Sequence, residues 1–495
     1  MNGSKVDFED VQGLVCFGYG RMTSASYALV RVKDRAAARA WFGSIPVSNA
    51  VDKPREEQPN TALQVAFTAP GLRVLGVPES VIEGFSHEFR AGMAQESRSR
   101  QLGDVAANAP EYWDWGGPGK EPHAVVMFFA NPDYFDGFVE KVTCNGWSEA
   151  FEEPHWLRTE DIAGFEPFGF RDGISQPKID WKQLRQTPCD QLDYTNMAAL
   201  GEFLLGYRNE YGKFTERPLL TSDATTAGLL PANDLPEKKD LGRNGTYLVL
   251  RQLRQDVRAF WQFMDQHAGA SQAELAAAMV GRTTDGCPLA PIQEERIPGI
   301  GEKDASQNQF TFDQDPAGIR CPFGAHIRRA NPRNTDFPER PANIVKKLIT
   351  MIGFGPNGFR DDLMSSVRFH RILRRGREYG PKLEPAAALA PAPANDPERG
   401  LHFVSLNANI SRQFEFLQNA WIASTKFSGL TGESDPLLGN REPVPGCPVT
   451  SDFNMPQDGA LRRRVSGLPQ FVTVRGGAYF FLPSLRALRY IAGGG

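Results

Sequence analysis

A chain of 495 residues is too long for one ordinary core, so two domains with long insertions are expected. Hydrophobic residues make up 41% and charged residues 23%, the balance of a globular protein in water. The net charge of −4 lacks the basic surplus of a nucleic-acid binder, and no apolar run approaches the ~20 residues that span a bilayer, so neither nucleic acid nor membrane is an expected partner.

The predicted elements run as follows. Val11 to Gly20 reads as a first strand ending in glycines, and Ser26 to Val32 as a second. A helix over Arg35 to Phe42 and a short strand over Ala62 to Phe67 follow. Gly18-Tyr19-Gly20 lacks the third glycine and the helix start of a dinucleotide loop. Val81 to Ala94 has helical spacing, and Gly103 is a helix stop. Glu111 to Pro118 is a loop with two tryptophans, Ala124 to Ala130 an apolar strand, and Asp133 to Val142 a helix. Gly201 to Tyr207 reads as a strand, residues 208–243 as a long polar connection, and Asn244 to Leu253 as a strong strand. The helix over Asp256 to His267 sets Val257, Phe260, Trp261 and Met264 on one face. Pro385 to Pro397 is rich in Ala and Pro and reads as a flexible surface loop. Gly400 to Leu406 is a buried-type strand leading into a helix near Arg412 to Ala423, and Phe471 to Ser484 closes the chain. The strand-then-helix pattern of the first half returns in the second, which suits two similar α+β domains.

Six cysteines (Cys16, Cys144, Cys189, Cys287, Cys321 and Cys447) are scattered without a Cys-x-x-Cys pair, so they read as free thiols of a reducing compartment. The first residues carry no apolar signal core and no twin arginine. Both features favour a cytoplasmic location, although a chain whose leader had been removed would read the same.

Several stretches carry chemistry. Gly169-Phe170-Arg171-Asp172-Gly173-Ile174-Ser175-Gln176-Pro177 places one acid between two glycines, a turn whose backbone can approach another group closely. Asp-Gly is also a common surface turn. In Cys321-Pro322-Phe323-Gly324-Ala325-His326-Ile327-Arg328-Arg329, His326 is a candidate metal or cofactor ligand, with a satisfied core histidine as the other reading. Arg371 to Gly380 sets arginines in a strand-like context that would also suit a solvated basic face.

Taken together and in this order, these segments resemble the dye-decolourising peroxidases. Gly169 to Gly173 resembles that family's Gly-x-x-Asp-Gly motif, and Ala325-His326-Ile327-Arg328 the segment carrying its haem ligand. Leu373-Arg374-Arg375-Gly376 resembles the segment of its distal arginine, and Phe471 to Ser484 its C-terminal strand. The resemblance implies an α+β protein of two ferredoxin-like domains, each an antiparallel sheet with helices. Residues 1–180 would form the first domain, ending in the motif. Residues 181–495 would form the second, holding the haem between its sheet and helices.

The resemblance also implies a haem-dependent peroxidase with one haem b per chain. Hydrogen peroxide would be the oxidant, and dyes, phenols and other one-electron donors the reducing substrates. His326 is then the axial ligand, and Asp435 the carboxylate on its second nitrogen. A helix cap or turn is the other reading of Asp435. Asp172 is the acid–base group, and Arg374 the guanidinium that keeps it ionised and stabilises developing charge. Leu401 and Phe403 wall the distal cavity, or else belong to ordinary strand core, and His402 between them should point the other way. If only peroxide fits, bulky donors would pass electrons through surface aromatics, with Tyr379 and Trp421 as relays or packing residues. A haem- or iron-handling protein with incidental peroxidase activity is the alternative function, and the residues alone also admit a hydrolase. Self-association as a homo-oligomer is compatible with all of these.

Overall fold

The computed structural model describes residues 5–53, 57–184, 195–267, 269, 271–333 and 367–493; Cys189 lies outside them. Strands rich in Val, Phe and Leu form β1 (Ser24–Val30), β2 (Thr61–Phe67), β3 (Ala124–Ala130) and β4 (His155–Arg158) in the first half. The second half supplies β5 (Thr246–Gln255), β6 (Leu373–Arg374), β7 (Arg377–Tyr379), β8 (Gly400–Asn407) and β9 (Val472–Leu482). They form one antiparallel sheet in the order β6-β8-β5-β9-β2-β3-β1-β4, with β7 also on β8. The two halves are therefore two antiparallel sheets joined edge to edge, at the pairing of Phe481 with Phe67.

Both faces of this sheet are buried, which is why its strands read as near-continuous apolar runs. On β3, Val126 and Phe128 enter one core, and Val125, Met127 and Phe129 the other. On β5, Tyr247, Val249 and Leu253 face the first core, and Leu248 and Leu250 the second. Helix α1 (Arg35–Ser44), capped by Asp34 accepting from the Ala37 amide at 2.8 Å, seals the first core with Trp41 and Phe42. Helix α2 (Val257–His267) does the same in the second half with Val257, Phe260, Trp261 and Met264, the face expected from its spacing.

Four expected elements differ. Val11 to Gly20 is not a strand but a short helical turn at Gly13–Val15 followed by a bend. Side-chain amides take the place of a ladder there: Gln12 Nε2 donates to Val65 and Pro483 carbonyls, and Gln64 Oε1 accepts from the Leu14 amide. Gly201 to Tyr207 begins in a helical turn at Leu200–Glu202 instead of a strand, because Gly206 turns at φ 84° and the Gly201 amide is taken by Arg208 O. Val81 to Ala94 breaks at Gly84-Phe85-Ser86, where Ser86 caps a new helix, and again at Gly92 with φ 81°. Pro385 to Pro397 is not a free loop. It opens with the helix Pro385–Ala388, and Arg258 binds the Ala387 and Ala390 carbonyls and the Asp396 carboxylate.

The loop with two tryptophans docks on β9. Trp113 is fully buried and donates from Nε1 to Asn108 O at 2.8 Å, while Asn108 Oδ1 accepts from the Val474 amide. Trp115 lies against Gly476, where any side chain would meet the indole. The loop thus backs the strand whose Val472 and Val474 line the central cavity. Trp113→Ala should lower the unfolding free energy by about 3–5 kcal/mol, the usual cost of emptying a packed aromatic site, measured by urea denaturation.

Candidate active site

The motif loop closes on itself before it reaches the cavity. Phe165 bridges Arg171, the Glu166 amide donates to Phe170 O at 2.8 Å, and the Asp172 amide donates to Gly164 O at 3.1 Å. Gly169 and Gly173 adopt φ of 96° and 73°, values that a side chain resists. Asp172 is left between them, facing inward.

Arg374 comes from β6, antiparallel to Ser405 of β8. Its Nη1 donates to Asp172 Oδ1 at 3.1 Å, and Nη2 reaches Ser175 O at 3.4 Å. Gln176 fixes the pairing of loop and strand. Its Oε1 accepts from the Arg374 amide at 3.0 Å, and its Nε2 donates to the Arg374 carbonyl at 3.2 Å. A single side-chain amide thereby does what a neighbouring strand would do. Burial alone would raise the Asp172 carboxyl above the usual range. The Arg374 charge, the Gly173 amide, the Arg374 hydrogen bond and the more distant His326 together hold it below.

His326 opens the short helix α3 (His326–Ala330). Its Nδ1 lies 2.9 Å from Asp435 Oδ2, and Asp435 is fully buried. Asp435 Oδ1 accepts from the amides of Leu437 and Leu438. Burial would neutralise this carboxylate, but His326, Arg329 and the Leu438 amide hold its affinity for protons down. An ionised carboxylate only accepts, so the neutral ring must carry its proton on Nδ1 and keep Nε2 as the acceptor. His326 makes no hydrogen bond through Nε2 to any described residue. Arg329 holds this half together: its guanidinium donates to Gly324, Trp421, Ser424 and Glu433 carbonyls, tying α3 to the segment that carries Asp435.

Asp172, Arg374 and His326 line one cavity of about 320 Å³. Their side chains retain 34%, 36% and 26% of their surface. That surface faces the cavity, so the groups lie deep in the molecule yet remain reachable. Leu401 and Phe403, on β8 opposite Leu253 and Arg251, form part of its wall. His402 points to the other face, its Nε2 donating to Arg158 O at 2.9 Å and its ring stacking on Tyr379 at 4.6 Å. Its single bonded partner is a carbonyl, so Nε2 is the donor, and burial pushes the ring down to about 4. Tyr379, bonded to Glu398, therefore sits behind the sheet from the cavity. Trp421 packs edge-on to His370, which lines the cavity, at 5.3 Å.

The donor set fits a haem. Ile174, Phe310, Ile327, Leu401, Phe403 and Leu437 give apolar walls, and Arg282, Arg333 and Arg371 gather at the lining. Burial, with the charges of Arg333 and Arg374, pushes Arg282 down to about 10, so carboxylate groups are favoured there. Among the described residues no three His, Cys, Asp or Glu side chains form a metal cage, so a lone imidazole suits an iron already held by a macrocycle. Sequence reasoning missed Gln176, Arg329 and Glu166. Gln176 stood inside the motif and Arg329 inside the arginine doublet, but neither had a partner visible in the sequence.

Gln176→Leu should leave the Arg374 amide without its acceptor and the Arg374 carbonyl with Arg375 Nη1 as its remaining side-chain donor. It should destabilise the apoprotein by about 1–3 kcal/mol in urea unfolding.

No family model matches the chain. It is 29% identical over 526 aligned residues to dye-decolorizing peroxidase msp1 of Mycetinis scorodonius, covering 98% of this chain and 88% of that one. A decolorizing peroxidase structure from Auricularia auricula-judae matches at a TM-score of 0.69 and 25% identity, covering 99% of both chains. A dye-decolorizing peroxidase solved with 2,6-dimethoxyphenol shares the fold at a TM-score of 0.70 and 22% identity, covering 98% of this chain and 100% of that one.

Proposed function

This chain belongs to the dye-decolorizing peroxidase family, and from that premise we propose which of its residues perform the reaction. It is a haem peroxidase. The observation that carries the assignment is the pairing of Asp172 with Arg374 and of His326 with the fully buried Asp435, with Asp172, Arg374 and His326 in the lining of one cavity.

His326 would hold the iron through Nε2, with Asp435 drawing on the Nδ1 proton and so enriching the ring in electrons. Arg282, Arg333 and Arg371 would take the carboxylates of one haem b per chain, between apolar walls. Bound haem supplies two electrons to the O–O bond of hydrogen peroxide and recovers them one at a time from the donors.

Asp172 acts on the proton. Its Oδ1 is engaged by Arg374, which leaves Oδ2 to take a proton from the nearer peroxide oxygen. The same oxygen returns that proton to the farther peroxide oxygen, which departs as water. Arg374 stabilises the negative charge that develops as the bond opens. Leu401 and Phe403 keep this side narrow and apolar, which excludes water that would compete for the base. Phenols and dyes are the proposed donors, in line with the relative that binds 2,6-dimethoxyphenol. Among the described residues no helix is long and apolar enough to cross a membrane. A cytoplasmic location belongs to the same proposal and rests on the unpaired thiols of Cys16, Cys144, Cys287, Cys321 and Cys447.

The pH dependence has a defined sign. Arg374 lowers the Asp172 pKa against the raising effect of burial, so the base is ionised down to low pH. Removing the cation leaves burial dominant. Arg374→Leu should therefore move the acidic limb of the peroxide kcat/KM profile to higher pH, by roughly 1–3 units. An unmoved limb would mean that another group is titrating. Asp172→Asn should lower kcat/KM for hydrogen peroxide by roughly 10²–10⁴-fold in steady-state assays, while haem remains bound.

A further inference from the structure

The reaction as derived makes no use of Glu166, although it lines the same cavity three residues before Gly169. Its carboxylate sits inside the closed motif loop. Oε1 accepts from the Phe170 amide at 2.9 Å, and Oε2 from the Phe168 amide at 3.1 Å. Oε2 also accepts from Gln255 Nε2 at 2.7 Å, so the loop is tied to the end of β5. The Glu166 backbone closes the ring, its carbonyl accepting from Gly169 and its amide donating to Phe170 O, each at 2.8 Å. Trp261 of α2 adds one more tie, from Nε1 to Phe168 O at 3.0 Å. These ties hold residues 166–170 to one another and to the β5–α2 corner, two residues before Asp172, and the Arg171 amide between them donates to Thr284 O at 3.0 Å. An acid is costly here: burial pushes the Glu166 carboxyl up to about 7, against the pull of Gln255, Phe170 and Phe168 and with Asp172 adding to the push. An apolar residue would avoid that cost but would leave two loop amides without acceptors.

We propose that Glu166 is a positioning residue for the peroxide reaction, whose carboxylate clamps the loop amides to Gln255 and thereby fixes where Asp172 stands in the cavity. This rests on the reading of Asp172 as the base. Gln at 166 is the discriminating replacement, because its NH2 would face an amide donor where a second acceptor is needed. Neither atom of the clamp lies on the path of the transferred proton, so its effect reaches the chemistry through the position of Asp172 and through its charge, which acts on Asp172 and His326.

Cyanide binding to the haem-loaded protein reads the base without turnover, since HCN must give up its proton as the anion binds iron. In Glu166→Gln the association rate should fall roughly ten- to hundredfold, the cost of misplacing a catalytic group by about an ångström. Peroxide kcat/KM should fall with it while KM for the organic donor stays unchanged, a split that general loosening would not produce. In the apoprotein, the Phe168 and Phe170 amides should exchange with deuterium faster than in wild type. Asp172→Asn serves as the reference. If it slows cyanide binding and Glu166→Gln does not, the positioning role is wrong and the base assignment stands. If Asp172→Asn binds cyanide at the wild-type rate, the base assignment fails and the proposal falls with it. Should Glu166→Gln fail to take up haem, Gln255→Leu decides: slower cyanide binding supports the clamp, and a wild-type rate overturns it.

Discussion

Burial works against a charged carboxylate, and the site depends on Arg374 reversing that effect at Asp172. A carboxyl lining an enclosed cavity would ordinarily keep its proton and could accept none from a substrate. The guanidinium 3.1 Å away changes the balance. The same opposition recurs on the other side of the cavity, where Asp435 is kept ionised by His326, Arg329 and two backbone amides. Each buried acid thus has a cation or a cationic surround, and each pair orients one group: the proposed base in one case, the imidazole in the other.

The fold serves to bring segments far apart in sequence to one lining. Asp172 lies on a connection near the end of the first half, and Arg374 on a two-residue strand of the second. The joined sheet sets the second-half strands where that connection can reach them, and Gln176 makes the final fastening. His326 depends instead on a helix too short to be stable alone. Arg328 and Arg329, both almost fully buried, hold it by hydrogen bonds to surrounding carbonyls. What looked like a basic run beside a histidine is therefore internal bracing.

Much of the strand and helix pattern was legible because both faces of the sheet are buried and the runs are apolar and of strand length. The places where reading failed share a cause. At Val11 to Gly20 and at Gly201 to Tyr207, apolar composition suggested strands, but side-chain amides and glycine turns satisfy the backbone there, and no local pattern announces that. Asp172, His326, Arg374 and Asp435 could be nominated through the family resemblance, since their residue types suit the chemistry. The alternation of strand residues also placed Leu401 and Phe403 on one face and His402 on the other. Gln176, Arg329 and Glu166 were hidden because the distant partners of Arg329 lie 92 or more residues away and that of Gln176 198 away, and because an acid within a loop looks like surface.

The central claim is that the Nε2 atom of His326 is where this protein takes iron. Apoprotein titrated with haem and followed by its Soret absorbance tests it directly, with His326→Ala beside the wild type and both checked for folding by circular dichroism. The wild type should saturate with the spectrum of a histidine-ligated haem, and folded His326→Ala should not develop it. A folded His326→Ala protein that gives the wild-type spectrum would contradict the assignment.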